Sequence, residues 1–276
     1  MPEGDTLART AAGLRPYLVG RTVAAARAHG PGPVPQVQRL VGRRVDAVEA
    51  HGKNLLIRLD GGLALRTHLR MHGSWHRYRP GERWRRPPAR ARLVLEVEGS
   101  VAVCFDAPVV EVFEQRAERL HPSLSRLGPD LAGAEFDADQ AFDRLRAPER
   151  ADVAVAVALL DQRAMAGVGN VYKNELCWIE RVSPFQPLRQ LDDGALRRLI
   201  GTARRLMLAN LDGRRAPERV TTAGDPGAPG PLYVYGRAGR PCRRCGTRLR
   251  STQQGTDLPR TTIWCPTCQE GAGHGP

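Results

Sequence analysis

Four cysteines near the C-terminus constrain this chain more than any other feature. They are spaced Cys242-x2-Cys245-x19-Cys265-x2-Cys268. Two such knuckles supply four thiolates to one tetrahedral site, the pattern of a structural zinc module. Four thiolates leave no open coordination position, so one zinc ion held here would act through folding and not through chemistry. Between the knuckles, Thr256 to Thr262 is expected to form a hairpin tip presenting Arg260, whose planar guanidinium suits bidentate phosphate binding. The other two cysteines, Cys104 and Cys177, lie in apolar stretches and are expected to be buried free thiols in a reducing compartment.

The charge balance points to the partner. The 276 residues carry a formal net charge of +13 and a pI of about 10.4. Such an excess favours a polyanion, because each cation placed on a phosphate releases counterions. All but two of the 42 basic residues are arginine. Amine nucleophiles are therefore confined to Lys53, Lys173 and the N-terminus. No apolar run approaches the roughly 20 residues of a membrane span, and no secretory signal is seen. The expected setting is the cytoplasm, with no membrane partner.

Hydrophobic spacing divides the chain. Leu7, Ala11, Leu14 and Leu18 recur at helical intervals and predict a helix over about 5–18. Short alternating runs follow. Residues 55–59 with 63–69, and 92–98 with 101–105, read as two β-hairpins. The stretch 78–90 is basic and proline-rich and reads as an exposed hairpin loop. After a linker near 125–135, helical periodicity predicts helices over about 137–145, 152–162, 171–181 and 192–211. Residues 213–231 read as a mobile Gly/Pro/Arg loop. The fold class is α+β multidomain: an N-terminal β-sandwich with an N-terminal helix over 1–125, a helical domain over 126–232, a four-cysteine finger over 233–270 and a disordered tail over 271–276.

Three further motifs carry chemistry. Trimming of Met1 would expose the secondary amine of Pro2, with the Glu3 carboxylate beside it. An amine of this kind attacks an aldehyde-like carbon to form an imine. A free α-amino group titrates near about 7.7–8.0, and an adjacent helix N-terminus lowers that value by disfavouring the cation. Glu3 would move protons. The alternative for such a short motif is a disordered chain start. In His51-Gly52-Lys53-Asn54, Lys53 at the start of a strand is either a phosphate-binding point charge or a solvated turn lysine. In residues 165–172, a glycine-punctuated turn is expected to place Asn170 at a helix N-cap. Such a helix start is either a phosphate site or an ordinary capped corner.

Together these pieces resemble the formamidopyrimidine-DNA glycosylase/endonuclease VIII family of base-excision repair enzymes. The matching residues are Pro2-Glu3-Gly4, Gly52-Lys53, Gly167-Val168-Gly169-Asn170, Tyr235-Gly236-Arg237, the cysteine quartet and Arg260-Thr261-Thr262. They span nearly the whole chain in the family's order. The resemblance implies a helix–two-turn–helix arrangement for the helical domain. It implies that Pro2 is the Schiff-base nucleophile and Glu3 the proton shuttle. Lys53, Asn170 and Arg260 would clamp phosphates around an extruded nucleotide. Met71, assisted by Arg70, would fill the gap left by the flipped base, although an alternating strand leads up to Met71 and a core position is the alternative. Asp5-Thr6 replaces a Pro-Glu pair common in the family, which bears on how the nucleophile is positioned.

The implied function is a bifunctional DNA glycosylase/abasic-site lyase acting as a monomer on damaged double-stranded DNA, with single-stranded or bubble DNA as further substrates. Glu3-Gly4 is similar to the endonuclease VIII branch and favours oxidised pyrimidines. The rival readings are an 8-oxoguanine-type purine glycosylase and a non-catalytic damaged-DNA-binding protein. The implied cofactor is one structural zinc.

Overall fold

The structure is a computed structural model that describes residues 2–30, 36–211, 219–222, 230–256 and 258–269. The tail over 271–276 lies outside the described residues, as does most of the loop expected over 213–231. The chain forms two compact units, Met1–Arg126 and Leu127–Pro276.

The first unit begins with helix α1, Gly4–Leu18. Eight strands follow: β1 Val23–Ala28, β2 Val45–His51, β3 Asn54–Leu59, β4 Leu63–His68, β5 Ser74–Tyr78, β6 Ala91–Val97, β7 Ser100–Phe105 and β8 Val109–Glu114. They pair antiparallel into two four-stranded sheets, ordered β1-β6-β7-β5 and β2-β3-β4-β8. Both predicted hairpins are present, as β3-β4 and β6-β7. Alternation sends Leu55, Ile57 and Leu59 into one core with Leu63, Leu65, Leu93, Leu95 and Cys104. The apolar stripe of α1, Leu7, Ala11, Leu14 and Leu18, joins the same core. That burial, at roughly 1.5–3 kcal/mol per large aliphatic side chain, holds the start of α1 in place. A second cluster of Tyr78, Val94, Val103 and Phe105 is covered by Trp84 from the β5–β6 loop.

The second unit holds α2 Ala138–Arg146, the short α3 Val155–Ala158, α4 Asn170–Ile179 and α5 Asp193–Ala209 around one apolar core. Asp137 and Asp192 cap α2 and α5 by accepting from Gln140 N and Ala195 N at 2.8 Å each. The helix expected over 152–162 is a single turn, Val155–Ala158. Side chains divert the backbone past that point. Asp161 accepts from Arg163 N at 3.0 Å. The Gln162 amide donates to Leu160 O and Val168 O and accepts from Gly167 N. Such local bonds compete with a helical ladder, and they wind 159–169 into turns that lead to α4. The expected linker is also ordered in part: Gly128 N bonds Gln162 O and Ala166 N bonds Pro129 O, both at 2.9 Å. The unit ends in a hairpin of β9 Arg250–Gln254 and β10 Arg260–Trp264.

Candidate nucleic-acid interface and metal centre

In the first unit, Pro2 is half-buried at the head of α1 and Glu3 is its N-cap residue, fully buried. Glu3 O accepts from Thr6 N at 3.0 Å, and Glu3 N donates to Thr6 Oγ1 at 3.4 Å. Asp5 is also fully buried; it accepts from Thr6 Oγ1 at 3.2 Å and pairs with Arg9 at 3.6 Å. Asp5-Thr6 thus bonds back to Glu3 and ties down the first turn. A chain terminus ordinarily frays; here the second and third residues are held by helix, core and hydroxyl.

Lys53 sits in the two-residue turn between β2 and β3, where Gly52 takes a φ of 57°. The next residue, Asn54, is buried and accepts from Arg66 Nε at 2.9 Å, while Arg66 also meets Glu111 at 2.5 Å. Opposite Asn54 in the ladder is His68. Burial holds the His68 imidazole down at about 4, aided by the charges of Arg66, Lys53 and Arg70. Lys53 and Arg70 are therefore gathered about one neutral ring.

Arg70 and Met71 lie in the turn after β4. Arg70 has a φ of 46°, the left-handed region that costs a non-glycine residue about 1–2 kcal/mol. Two bonds secure it: Arg70 N to His68 Nδ1 at 3.2 Å and Gly73 N to Leu69 O at 2.9 Å. Gly73 is required for this closure, because a Cβ there would stand 2.6 Å from Leu69 O. The reversal buries Leu69 and turns Met71 outward, 53% exposed. The core alternative for Met71 is excluded.

In the second unit, α4 is buried on all sides although four of its residues are polar: Asn170, Lys173, Asn174 and Glu175. The N-cap is Gly169, not Asn170, which is the first helical residue. Gly169 has no side chain to offer the first-turn N–H groups, and Asn170 Oδ1 is buried without a hydrogen-bond partner among the described residues. Lys173 Nζ donates to Thr261 O at 3.1 Å and to Thr262 Oγ1 at 2.9 Å. Asn174 Nδ2 donates to Thr261 O, and its Oδ1 accepts from Ile263 N at 2.6 Å. These bonds staple β10, and so Arg260 at its start, to the helix that begins with Asn170. Arg260 is half-buried, and its side chain makes no hydrogen bond or ion pair among the described residues. The structure brings Asn170 and Arg260 together on one scaffold.

Glu175 secures the chain that leads into the finger. Its carboxylate accepts from the backbone N–H of Tyr233 at 2.7 Å and of Val234 and Tyr235 at 2.8 Å each, and from the Thr221 hydroxyl. Trp178 stacks on Tyr233 at 4.4 Å and donates to Cys242 Sγ at 3.3 Å. Arg244 lies over the Trp178 ring at 4.0 Å and donates to Trp178 O and Ile179 O, closing the C-terminus of α4. Of the α4 side chains that fasten β10 and the finger, Lys173, Asn174, Glu175 and Trp178, the sequence motifs point only to Lys173, as an amine. The available signal was the run Asn170-x2-Lys173-Asn174-Glu175 on a helix otherwise made of core residues.

The four cysteine sulfurs lie within 4.8 Å of one another, with Cys242–Cys268 at 4.0 Å and Cys245–Cys265 at 3.5 Å. A tetrahedron with metal–sulfur bonds of about 2.3 Å has edges of about 3.8 Å, so the donor set fits one ion. Backbone N–H groups of Arg244 and Cys268 point at Cys242 Sγ and Cys265 Sγ at 3.4 Å each, which suits thiolates. Cys104 and Cys177 are buried free thiols, as expected, and burial pushes Cys177 up to about 12.

The chain matches the family model of the formamidopyrimidine-DNA glycosylase N-terminal domain over residues 1–108 and that of the formamidopyrimidine-DNA glycosylase H2TH domain over residues 127–217. It is 43% identical to the probable endonuclease 8 2 of Streptomyces coelicolor, covering 100% of this chain and 96% of that one. It is 40% identical to the DNA-(apurinic or apyrimidinic site) lyase Nei2 of Mycolicibacterium smegmatis, covering 98% and 99%. Among solved structures, the MutM (Fpg) protein of Thermus thermophilus superposes with a TM-score of 0.80 at 31% identity over 100% of both chains. The Lactococcus lactis formamidopyrimidine-DNA glycosylase bound to DNA containing an AP site gives 0.80 at 20% identity over 97% and 99%, a likeness of fold.

Two outcomes follow from this geometry. The His68 value lies below the ordinary 6.5. Between those two values the unfolded chain takes up a proton that the folded chain refuses, so stability is lost as pH falls from about 6.5 to about 4, by roughly 3 kcal/mol from this group. In His68→Gln the acid limb of urea-unfolding stability should be shallower over that window; coincident limbs would show that the imidazole is not held neutral. Replacing the Glu175 carboxylate strands three backbone N–H groups. Glu175→Leu should destabilise the second unit by about 3–5 kcal/mol and speed metal release to a chelating dye. Wild-type melting and release would contradict the role given to Glu175.

Proposed function

The chain belongs to the formamidopyrimidine-DNA glycosylase/endonuclease VIII family, and on that premise we propose that it is a bifunctional DNA glycosylase and abasic-site lyase of base-excision repair. The observation that carries this reading is the Pro2-Glu3 pair, held at the head of a core-anchored helix within the matched N-terminal domain. The Pro2 amine, freed of Met1, attacks the sugar C1′ of a damaged nucleotide. The new N–C1′ bond replaces the glycosidic bond, and the base leaves. Glu3 supplies the proton that opens the sugar ring, giving an iminium. That cation acidifies the C2′ proton, whose removal expels the 3′ phosphate; a second elimination expels the 5′ phosphate. Hydrolysis of the imine returns the amine.

Each unit contributes contacts to DNA. Lys53 offers a point charge for phosphate. Arg70 and Met71, on a strained turn with Met71 outward, enter the space the extruded nucleotide vacates. Asn170, whose buried Oδ1 has no partner among the described residues, and Arg260, which has no acidic partner among them, receive phosphates of the same strand. Flipping costs a few kcal/mol and less for a lesion that stacks poorly. The cysteine quartet holds zinc, which maintains the finger that carries Arg260. The working divisions are a catalytic sandwich over 1–125, a helical domain over 126–232 and the finger over 233–270.

The substrate is damaged duplex DNA, with oxidised pyrimidines preferred; Glu3-Gly4 and the endonuclease 8 names of relatives at 41–43% identity support that preference. The protein works as a monomer in bacterial cytoplasm. No helix among the described residues is long and apolar enough to cross a membrane.

Borohydride should trap the protein covalently on lesion duplexes, and thymine glycol and dihydrouracil should be excised faster than 8-oxoguanine. Faster release of 8-oxoguanine would assign a purine specificity, and no trapping on any lesion would leave a binding protein. Glu3→Gln should slow base excision by about 10²–10⁴-fold, with cleavage of preformed abasic sites falling less; an unchanged excision rate refutes the proton role.

A further inference from the structure

The β5–β6 loop, Arg79 to Arg90, carries five arginines and one acid, Glu82. It is anchored rather than loose. Trp84 stacks on Tyr78 at 6.1 Å and meets Phe105 edge-on at 5.8 Å, over the outer face of the β5-β6-β7 sheet. The Tyr78 hydroxyl accepts from Arg85 N at 3.1 Å and meets His76 Nδ1 at 2.9 Å. Glu82 accepts from Arg79 N at 2.8 Å. Asp106 binds Arg86 at 2.6 Å and Arg90 at 2.8 Å. Pro80, Pro87 and Pro88 restrict what remains.

Arg86 and Arg90 thus share one carboxylate, Asp106, and three guanidinium groups are left over. Arg79, Arg83 and Arg85 are exposed, and their side chains make no hydrogen bond or ion pair among the described residues. An anchored loop holds its charges in place at little further entropic cost, so it suits a fixed array of anions. Location selects the anion. Arg86 also donates to His72 O at 3.3 Å. This bond fastens the loop to the turn that carries Arg70 and Met71, the turn read above as entering the DNA duplex. Whatever duplex that turn enters passes its backbone beside the loop.

We propose that Arg79, Arg83 and Arg85 form a second phosphate-contact patch, which grips the sugar-phosphate backbone of duplex DNA flanking the lesion. The patch rests on the reading of the Arg70–Met71 turn. It adds sequence-independent affinity, since guanidinium–phosphate contacts position a duplex without reading its bases. It also accounts for the three arginines of the loop whose side chains make no hydrogen bond or ion pair among the described residues.

The test uses the full-length protein and a duplex bearing a stable abasic-site analogue. Binding is measured across a salt series for wild type, for the triple variant Arg79→Gln, Arg83→Gln, Arg85→Gln, and for the triple lysine variant. Each lost phosphate contact removes about 0.9 from the slope of log affinity against log salt. The glutamine triple should lose about 2–3 units of slope, and the lysine triple should recover most of it. A loss under about one unit overturns the patch and leaves these arginines as solvated surface charges. Borohydride trapping of wild type on a natural abasic duplex is run alongside. Trapping with an unchanged slope in the triple variant sinks the patch alone; absent trapping with a reduced slope sinks the lyase reading and leaves the patch.

Discussion

The Glu175 carboxylate is the interaction on which the second unit depends. A buried carboxylate costs several kcal/mol unless every lone pair is met, and this one is met by three consecutive backbone N–H groups and a hydroxyl. The chain at 233–235 must therefore arrive at the middle of α4. From there the rest follows. Trp178 stacks on Tyr233 and reaches Cys242, Arg244 closes the end of the helix, and Lys173 with Asn174 fastens β10. Helix α4 is at once a wall of the helical core and the platform of the metal module. The four cysteine sulfurs draw the finger together from within, and α4 fixes it from without.

The first unit meets a different demand. The amine proposed as the nucleophile lies at the head of α1, and the sandwich holds that helix by drawing Leu7, Ala11, Leu14 and Leu18 into its core. Asp5-Thr6 completes the anchoring through bonds to Glu3 and Arg9. His68 is kept neutral beside Arg66, Lys53 and Arg70: a charged imidazole there would add a fourth cation to three.

What could be read in advance was local. Helix α1, both hairpins and the cysteine quartet announce themselves within a few residues. The helix expected over 152–162 failed because Asp161 and Gln162 bond their own neighbourhood, a competition that apolar periodicity does not register. Asn170 fell one place inside the expected cap because Gly169 takes the extended backbone. Met71 could not be assigned by alternation, since the left-handed Arg70 reverses the strand just before it. The partners of Glu175 lie 46 to 60 residues away along the chain, and no local pattern connects them. Strands β1, β2, β5 and β8 were missed as well; their short runs alternate too weakly to stand out, and pairing partners distant in sequence define them.

The central claim is that the reactive amine is that of Pro2. Borohydride-trapped protein on abasic duplex can be digested with nuclease and protease and the sugar-bearing peptide sequenced by mass spectrometry. The account predicts a single adduct, on the N-terminal peptide at the Pro2 nitrogen, with Met1 absent. An adduct on Lys53 or Lys173 with Pro2 unmodified would contradict it.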